Sequence, residues 1–344
     1  MKFLLSYIFL ISIAINFSCE RPHCPNPLVN NSNQNNTGST SSQISTWQLK
    51  TVSNISGDFL DTDFANELTG YIVGYGGVIV KTSDGGKTFT ALNSGTNQDL
   101  YAVHCISSQI AVVVGNGGTI LKTIDGGLNW TPISATSNSL RNVYFYNSSI
   151  GYITGGNGTV LKTTDGGLTW NTINVGTTNA LYGIFFTDVN TGYLSGLNGL
   201  ILKTTNGGNS WTSQESGVPI GPIILNSIYF TDANHGIIAA GIGNPSFTPN
   251  PIILRTTDGG ENWNFVNCPT SNDDYFKVKF VDSNIGYIIG GYVEMNTGVI
   301  LKTTDGGASW TSIPISSSRL TGLKIINSGD AFTVGYNTTI IQGM

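Results

Sequence analysis

A nine-residue element of the form Lys-Thr-x-Asp-Gly-Gly-x-x-Trp recurs six times, so this chain must fold as copies of one unit. It reads KTSDGGKTF at 81–89, KTIDGGLNW at 122–130, KTTDGGLTW at 162–170, KTTNGGNSW at 203–211, RTTDGGENW at 255–263 and KTTDGGASW at 302–310. Its fourth position is Asp84, Asp125, Asp165, Asn206, Asp258 and Asp305, at intervals of 41, 40, 41, 52 and 47 residues. A common lead-in precedes each copy, clearest in LRNVYFYNSSIGYITGGNGTVLKTTDGGLTWNTI. It holds an alternating segment, a turn, Gly-Tyr with a short apolar run, a glycine turn, and an apolar run into the box. With the short segment after Trp170, this predicts four strands, a to d, of about five residues each. A period of about 40 residues with four short strands predicts an all-β propeller of four-stranded antiparallel blades.

The box itself reads as the hairpin between strands c and d. An Asp or Asn side chain accepts hydrogen bonds from the turn that follows, and Gly-Gly permits positive φ there. Trp130, Trp170, Trp211, Trp263 and Trp310 each pack over their hairpin, burying about 200 Å² and contributing on the order of 5 kcal/mol of gross transfer energy. Phe89 replaces Trp in the first copy and Asn206 replaces Asp in the fourth. Both keep packing and turn chemistry while one loses the acid, which suits a frame rather than a repeated catalytic group. Asp188, Asp232 and Asp282, with Asn147 and Asn327, recur as acceptors in the a-to-b turn.

Six units are complete. A seventh begins at about Arg319 and supplies strands a, b and c before the sequence ends at Met344. Its missing strand d is expected from the N-terminal side: TWQLKTVS at 46–53 matches SWTSIPIS at 309–316, each with Trp second. Trp47 would then close a seven-bladed ring and remove two open sheet edges. Residues 46–344 are thus the propeller.

Upstream, Met1-Lys2 precedes an apolar run from Phe3 to Phe17 that is short for a bilayer span, then Ser18-Cys19. This predicts a signal peptide over 1–18 of lipoprotein type, with Cys19 acylated and the protein exported to the periplasmic or cell-surface side of a bacterial membrane. Residues 19–45 are polar and read as a disordered tether, so membrane attachment would run only through the lipid. A net charge of −5 with 15 Lys and Arg argues against nucleic acid. Cys105 and Cys268 fall in different repeats and read as buried small residues, not a bridge. The three histidines are scattered, and no metal or cofactor is expected. The particle is expected to be a monomer.

In such a ring the d-to-a and b-to-c loops share one face and the Asp boxes lie on the other, so binding is expected opposite the box. Two b-to-c loops are enlarged, Gly241–Pro251 and Gly291–Gly298. They offer Phe247, Tyr292, Glu294 and Met295 to a partner. A second candidate is the channel mouth, where the position after the first apolar residue of strand a reads Tyr101, Arg141, Tyr182, Asn226, Phe276 and Thr321. Aromatics and one Arg there suit a glycan or a peptide end.

The Gly-Tyr lead-in and the box together resemble the BNR/Asp-box propellers of the photosystem II stability/assembly factor family, over residues 46–344. The resemblance implies a non-enzymatic binding scaffold for a protein partner, here at the cell envelope, with an arginine-containing basic patch. This propeller has Arg141, Arg255 and Arg319 to draw on. The alternative is a glycoside hydrolase or glycan-binding propeller of sialidase or endoglucanase type acting on an extracellular polysaccharide. A sialidase needs converging arginines, whereas Arg255 sits at the box end of strand c and the other two at the start of strand a. An endoglucanase needs two carboxylates about 5 to 9 Å apart. Asp58, Asp61, Asp63, Asp273, Asp274 and Glu294 are the candidates outside the repeated turns, and none forms an evident pair.

Overall fold

The computed structural model describes residues 44, 46–50, 55, 57–219, 221–242, 251–270, 273–292, 297–326 and 329–344. These build seven four-stranded antiparallel sheets arranged as the blades of a propeller. Six blades run a-b-c-d in chain order. The seventh takes its outer strand from the N-terminal side: Trp47–Leu49 pairs with Thr339–Gly343, with Trp47 opposite Gly343 and Leu49 opposite Ile341. Thr46 and Met344 exchange two backbone hydrogen bonds at 3.0 Å, extending that seam. Ile44 is only 3% exposed and packs under Gly343 beside Trp47, so contact with the ring begins ahead of the strand.

The innermost strands are Phe59–Phe64, Leu100–Cys105, Leu140–Phe145, Leu181–Phe186, Ile224–Phe230, Asp274–Phe280 and Leu320–Ile325. Their flanking b strands, such as Gly151–Gly155 and Gly192–Gly196, are buried at every position, because both faces of a blade are covered by its neighbours. That is why strand b reads as an unbroken apolar run while strand d, as in Asn171–Ile173, reads polar. The apolar clusters accordingly lie between blades. One joins Tyr152 and Val160 of the third blade to Leu181, Ile184 and Leu194 of the fourth.

Every innermost strand carries a register shift near its start. The skipped residues are Leu60, Tyr101, Arg141, Tyr182, Asn226, Phe276 and Thr321. A β-bulge leaves its extra residue outside the ladder and re-aims it, so the fold presents seven such positions around the channel mouth.

Candidate functional site

The Asp boxes form a frame on one face. In the third blade, Thr163 Oγ1 donates to Asp165 Oδ1 at 2.7 Å and accepts from the Gly167 N–H at 2.9 Å. Asp165 Oδ1 also accepts from the N–H groups of Leu168 and Thr169. The Gly-Gly pair there has φ of 72° and 81°. Asn206 reproduces the acceptor role, taking the Ser210 N–H at 2.9 Å. Donors from the residue four further on (Thr88, Asn129 and Asn262) are the main reason Asp84, Asp125 and Asp258 are held at about 2. Asp305 is likewise held below the usual carboxylate range, by Ser309 and Thr303 against the effect of burial. These acids serve their own turns.

In five boxes the opening Lys or Arg reaches the next blade. Lys81 donates to Gly126 O at 2.6 Å, Lys122 to Gly166 O at 2.8 Å and Lys162 to Gly207 O at 2.7 Å. Arg255 does the same to Gly306 O at 3.0 Å, and Lys203 pairs with Glu261 at 2.8 Å. The tyrosine of the Gly-Tyr lead-in lies opposite that lysine in the b–c ladder and reaches the same neighbouring blade. Tyr152 OH donates to Gly207 O and Tyr193 OH to Gly259 O. The Trp side chains meet strand-a aromatics edge-on, as in Phe145–Trp170, Phe186–Trp211, Phe230–Trp263 and Phe280–Trp310. Trp130 does so with Tyr71 of strand b. Five of the box positions therefore also act as staples between blades, a role that a single repeat cannot show.

On the opposite face lie the bulged residues. The Arg141 guanidinium lies 4.5 Å from the Tyr101 ring centre and 5.9 Å from that of Tyr182. Three residues not placed at the mouth from the sequence, Arg319, Tyr336 and Tyr75, extend the rim from Phe276. Arg319 lies 4.1 Å over Phe276 and 5.3 Å over Tyr336, and the Tyr336 hydroxyl sits 3.1 Å from that of Tyr75. Tyr75 in turn feels both Tyr101 and Arg319 electrostatically, so aromatic and guanidinium planes run in an arc from the sixth blade to the fourth across the seam. Neither arginine is in a salt bridge among the described residues. Arg255 lies on the box face. Other bulged residues are structural: Asn226 Nδ2 donates to Tyr275 O and Thr321 Oγ1 to Phe59 O.

Below the mouth, the axis holds a charged cavity of about 200 Å³. Its charged and aromatic lining residues occupy alternate positions of strand a. One level holds Asp61, Asn142, Ser227 and Lys277. The next is a closed ring of Asp63, His104, Tyr144, Phe185, Tyr229, Lys279 and Lys324. Lys277 Nζ meets Asp61 Oδ1 at 3.2 Å and Lys324 Nζ meets Asp63 Oδ1 at 2.6 Å. The other oxygens accept backbone N–H groups of the second blade: Asp61 from Val103 at 3.3 Å and Asp63 from Cys105 at 2.7 Å. Burial raises Asp61 despite Lys277. Burial also pushes Asp63 upward, but Lys324, His104 and the Cys105 N–H outweigh it and hold it below its ordinary value. Burial lowers His104 to about 4 and, with Lys277 and Lys324, lowers Lys279 to about 8. Strand periodicity carried the signal: Asp61, Asp63, Lys277 and Lys279 are charges at period two in strands otherwise apolar and aromatic.

Tyr292 ends strand b of the sixth blade opposite Thr297, so that hairpin lengthens as a ladder. Phe247, Glu294, Met295 and Cys19 lie outside the described residues, as does Asn327. Asp188, Asp232 and Asp282 accept N–H groups in their turns. Neither Cys105 nor Cys268 forms a disulfide among the described residues.

A family model described as photosynthesis system II assembly factor YCF48 matches residues 39–139, 134–212, 168–267 and 214–330. Among solved structures, "YCF48 bound to D1 peptide" is 17% identical at a TM-score of 0.69, covering 87% of this chain and 96% of that one. YCF48 from Cyanidioschyzon merolae is 18% identical at 0.67, covering 86% and 98%. The GH74 enzyme of Niastella koreensis is 17% identical at 0.67, but this chain spans only 53% of it while 85% of this chain is covered. No curated relative matches the sequence.

Proposed function

This chain belongs to the family of the photosynthesis system II assembly factor YCF48, and from that premise we propose that it is a binding propeller whose channel mouth holds an extended segment of a protein partner. One observation carries the reading: two guanidinium groups, Arg141 and Arg319, lie over aromatic rings, and neither is in a salt bridge among the described residues. Arginines held over aromatic rings without a carboxylate partner suit the capture of a carboxylate. The partner segment is therefore acidic and carries apolar or aromatic residues for the rim. The peptide-bound YCF48 structure, of the same fold, supports a polypeptide as the occupant.

Hydrolysis is disfavoured by the state of the two axial carboxylates. Asp61 and Asp63 each accept an ammonium group and a backbone N–H, which leaves neither placed to protonate a leaving group or activate water. The test is capture from solubilised envelope by the wild-type protein and by the Arg141→Gln/Arg319→Gln double variant. A discrete partner held by the first and lost by the second is expected. Equal recovery by both removes the mouth from the proposal, and hydrolysis of xyloglucan or a sialoside abolished by Asp61→Asn or Asp63→Asn replaces binding with catalysis.

The address is part of the proposal: export, with Cys19 as the lipid-bearing residue and 19–45 as the tether. Cys19→Ser should move the protein from the membrane fraction to the soluble fraction without changing its melting temperature. A variant that stays in the membrane fraction would show another mode of attachment.

A further inference from the structure

The axial cavity carries a charge that its own residues do not balance. It is lined by three lysines and two aspartates. Lys277 and Lys324 take the two aspartates. Lys279 has no carboxylate within ion-pair distance among the described residues; its ammonium rests 5.5 Å from the centre of the Tyr229 ring. His104, lowered to about 4, is neutral at physiological pH and adds nothing. One positive charge is in excess, in a place where burial penalises it.

Beside Lys279 the wall is aromatic and continuous. Tyr229 packs on Phe185 at 4.9 Å and Phe185 on Tyr144 at 6.0 Å between ring centres. The cavity thus sets a cationic group at Lys279 next to an aromatic wall that runs through the fourth blade. Its volume of about 200 Å³ exceeds the roughly 150 Å³ that suffices for benzene. Solvent reaches it, since the Lys324 and His104 side chains are 29% and 25% exposed.

We propose that the axial channel is a receptor for a carboxylate with a small apolar body, its head paired with Lys279 and its body against Phe185 and Tyr229. The aspartates do not repel such a ligand, because each is neutralised by its own lysine. The site is separate from the mouth and does not rest on the capture of a partner there. The carboxylate has two sources, a free metabolite or the last residue of a polypeptide.

The experiment uses the full propeller and three probes: benzoate, N-acetyl-phenylalanine, and a ten-residue peptide ending in phenylalanine. Benzamide is the neutral control. Calorimetry should show saturable binding of benzoate and N-acetyl-phenylalanine, at least tenfold tighter than benzamide, and loss of it in Lys279→Met. Lys279→Gln tests the same charge should Lys279→Met prove insoluble. The Arg141→Gln/Arg319→Gln variant should bind benzoate as the wild type does, which separates this site from the mouth. Binding of the peptide as well assigns a polypeptide end; binding of the small acids alone assigns a metabolite. No binding of any acid, equal binding of benzamide, or binding unchanged in both Lys279 variants overturns the proposal.

Discussion

The glycine that opens strand b is chosen by the residue across the ladder from it. A Cβ on Gly192 would lie 2.5 Å from the Phe186 ring, and the same clash recurs between Gly151 and Phe145, Gly236 and Phe230, and Gly286 and Phe280. In two blades the strand-a residue is smaller, and there the glycine becomes alanine: Cys105 faces Ala111 and Ile325 faces Ala331. The repeats thus hold a size exchange at one contact. Gly192→Ala should cost about 1–3 kcal/mol by overpacking, read as a lowered urea midpoint. Adding Phe186→Ile should recover part of that loss. Strict additivity of the two changes in a double-mutant cycle would mean that the ring is not what excludes the methyl group.

Strands and closure were legible because they are written in local pattern. Alternation, glycine turns and the box place four strands per repeat, and the shared second-position Trp places Trp47 in the seventh blade. Arg141, Tyr101 and Tyr182 were legible as a group because they share one column of the repeat. Arg319 and Tyr336 come from different columns, a strand start and a b-to-c turn, and meet within the seventh blade; Tyr75 joins them only because closure sets that blade beside the first. The ion pairs Asp61–Lys277 and Asp63–Lys324 span more than 200 residues for the same reason. The element that carries this closure is short, Trp47–Leu49. Deleting 46–52 exposes the edge of Thr339–Gly343 and removes the Trp47 contact with Tyr287 at 5.5 Å. The melting temperature should fall sharply and the shortened chain should self-associate through the open edge. An unchanged melting curve would mean that the ring closes without that strand.

At the scale of the molecule, the axis is where the ring concentrates its titratable charge, and stability should follow pH accordingly. His104 is held at about 4 against an ordinary 6.5, chiefly by burial. Between those values the unfolded chain binds a proton that the fold does not. The contribution of His104 is therefore complete above 6.5 and is lost as pH falls toward 4. Lys279, at about 8 against 10.5, has the same sign in a different window. Below 8 its buried charge is a full penalty, and that penalty is relieved as pH rises to 10.5. Each window is worth on the order of 3 kcal/mol. Urea denaturation across both windows separates them. The wild type minus His104→Gln difference should fall as pH drops from 6.5 to 4, and the wild type minus Lys279→Met difference should rise from 8 to 10.5. Lys279→Met should also be the more stable protein at pH 7, since an apolar side chain of similar length replaces an ammonium without a carboxylate partner. If it is less stable there, the ammonium is better satisfied in the channel than its contacts show, and the charge excess on which ligand capture depends is absent.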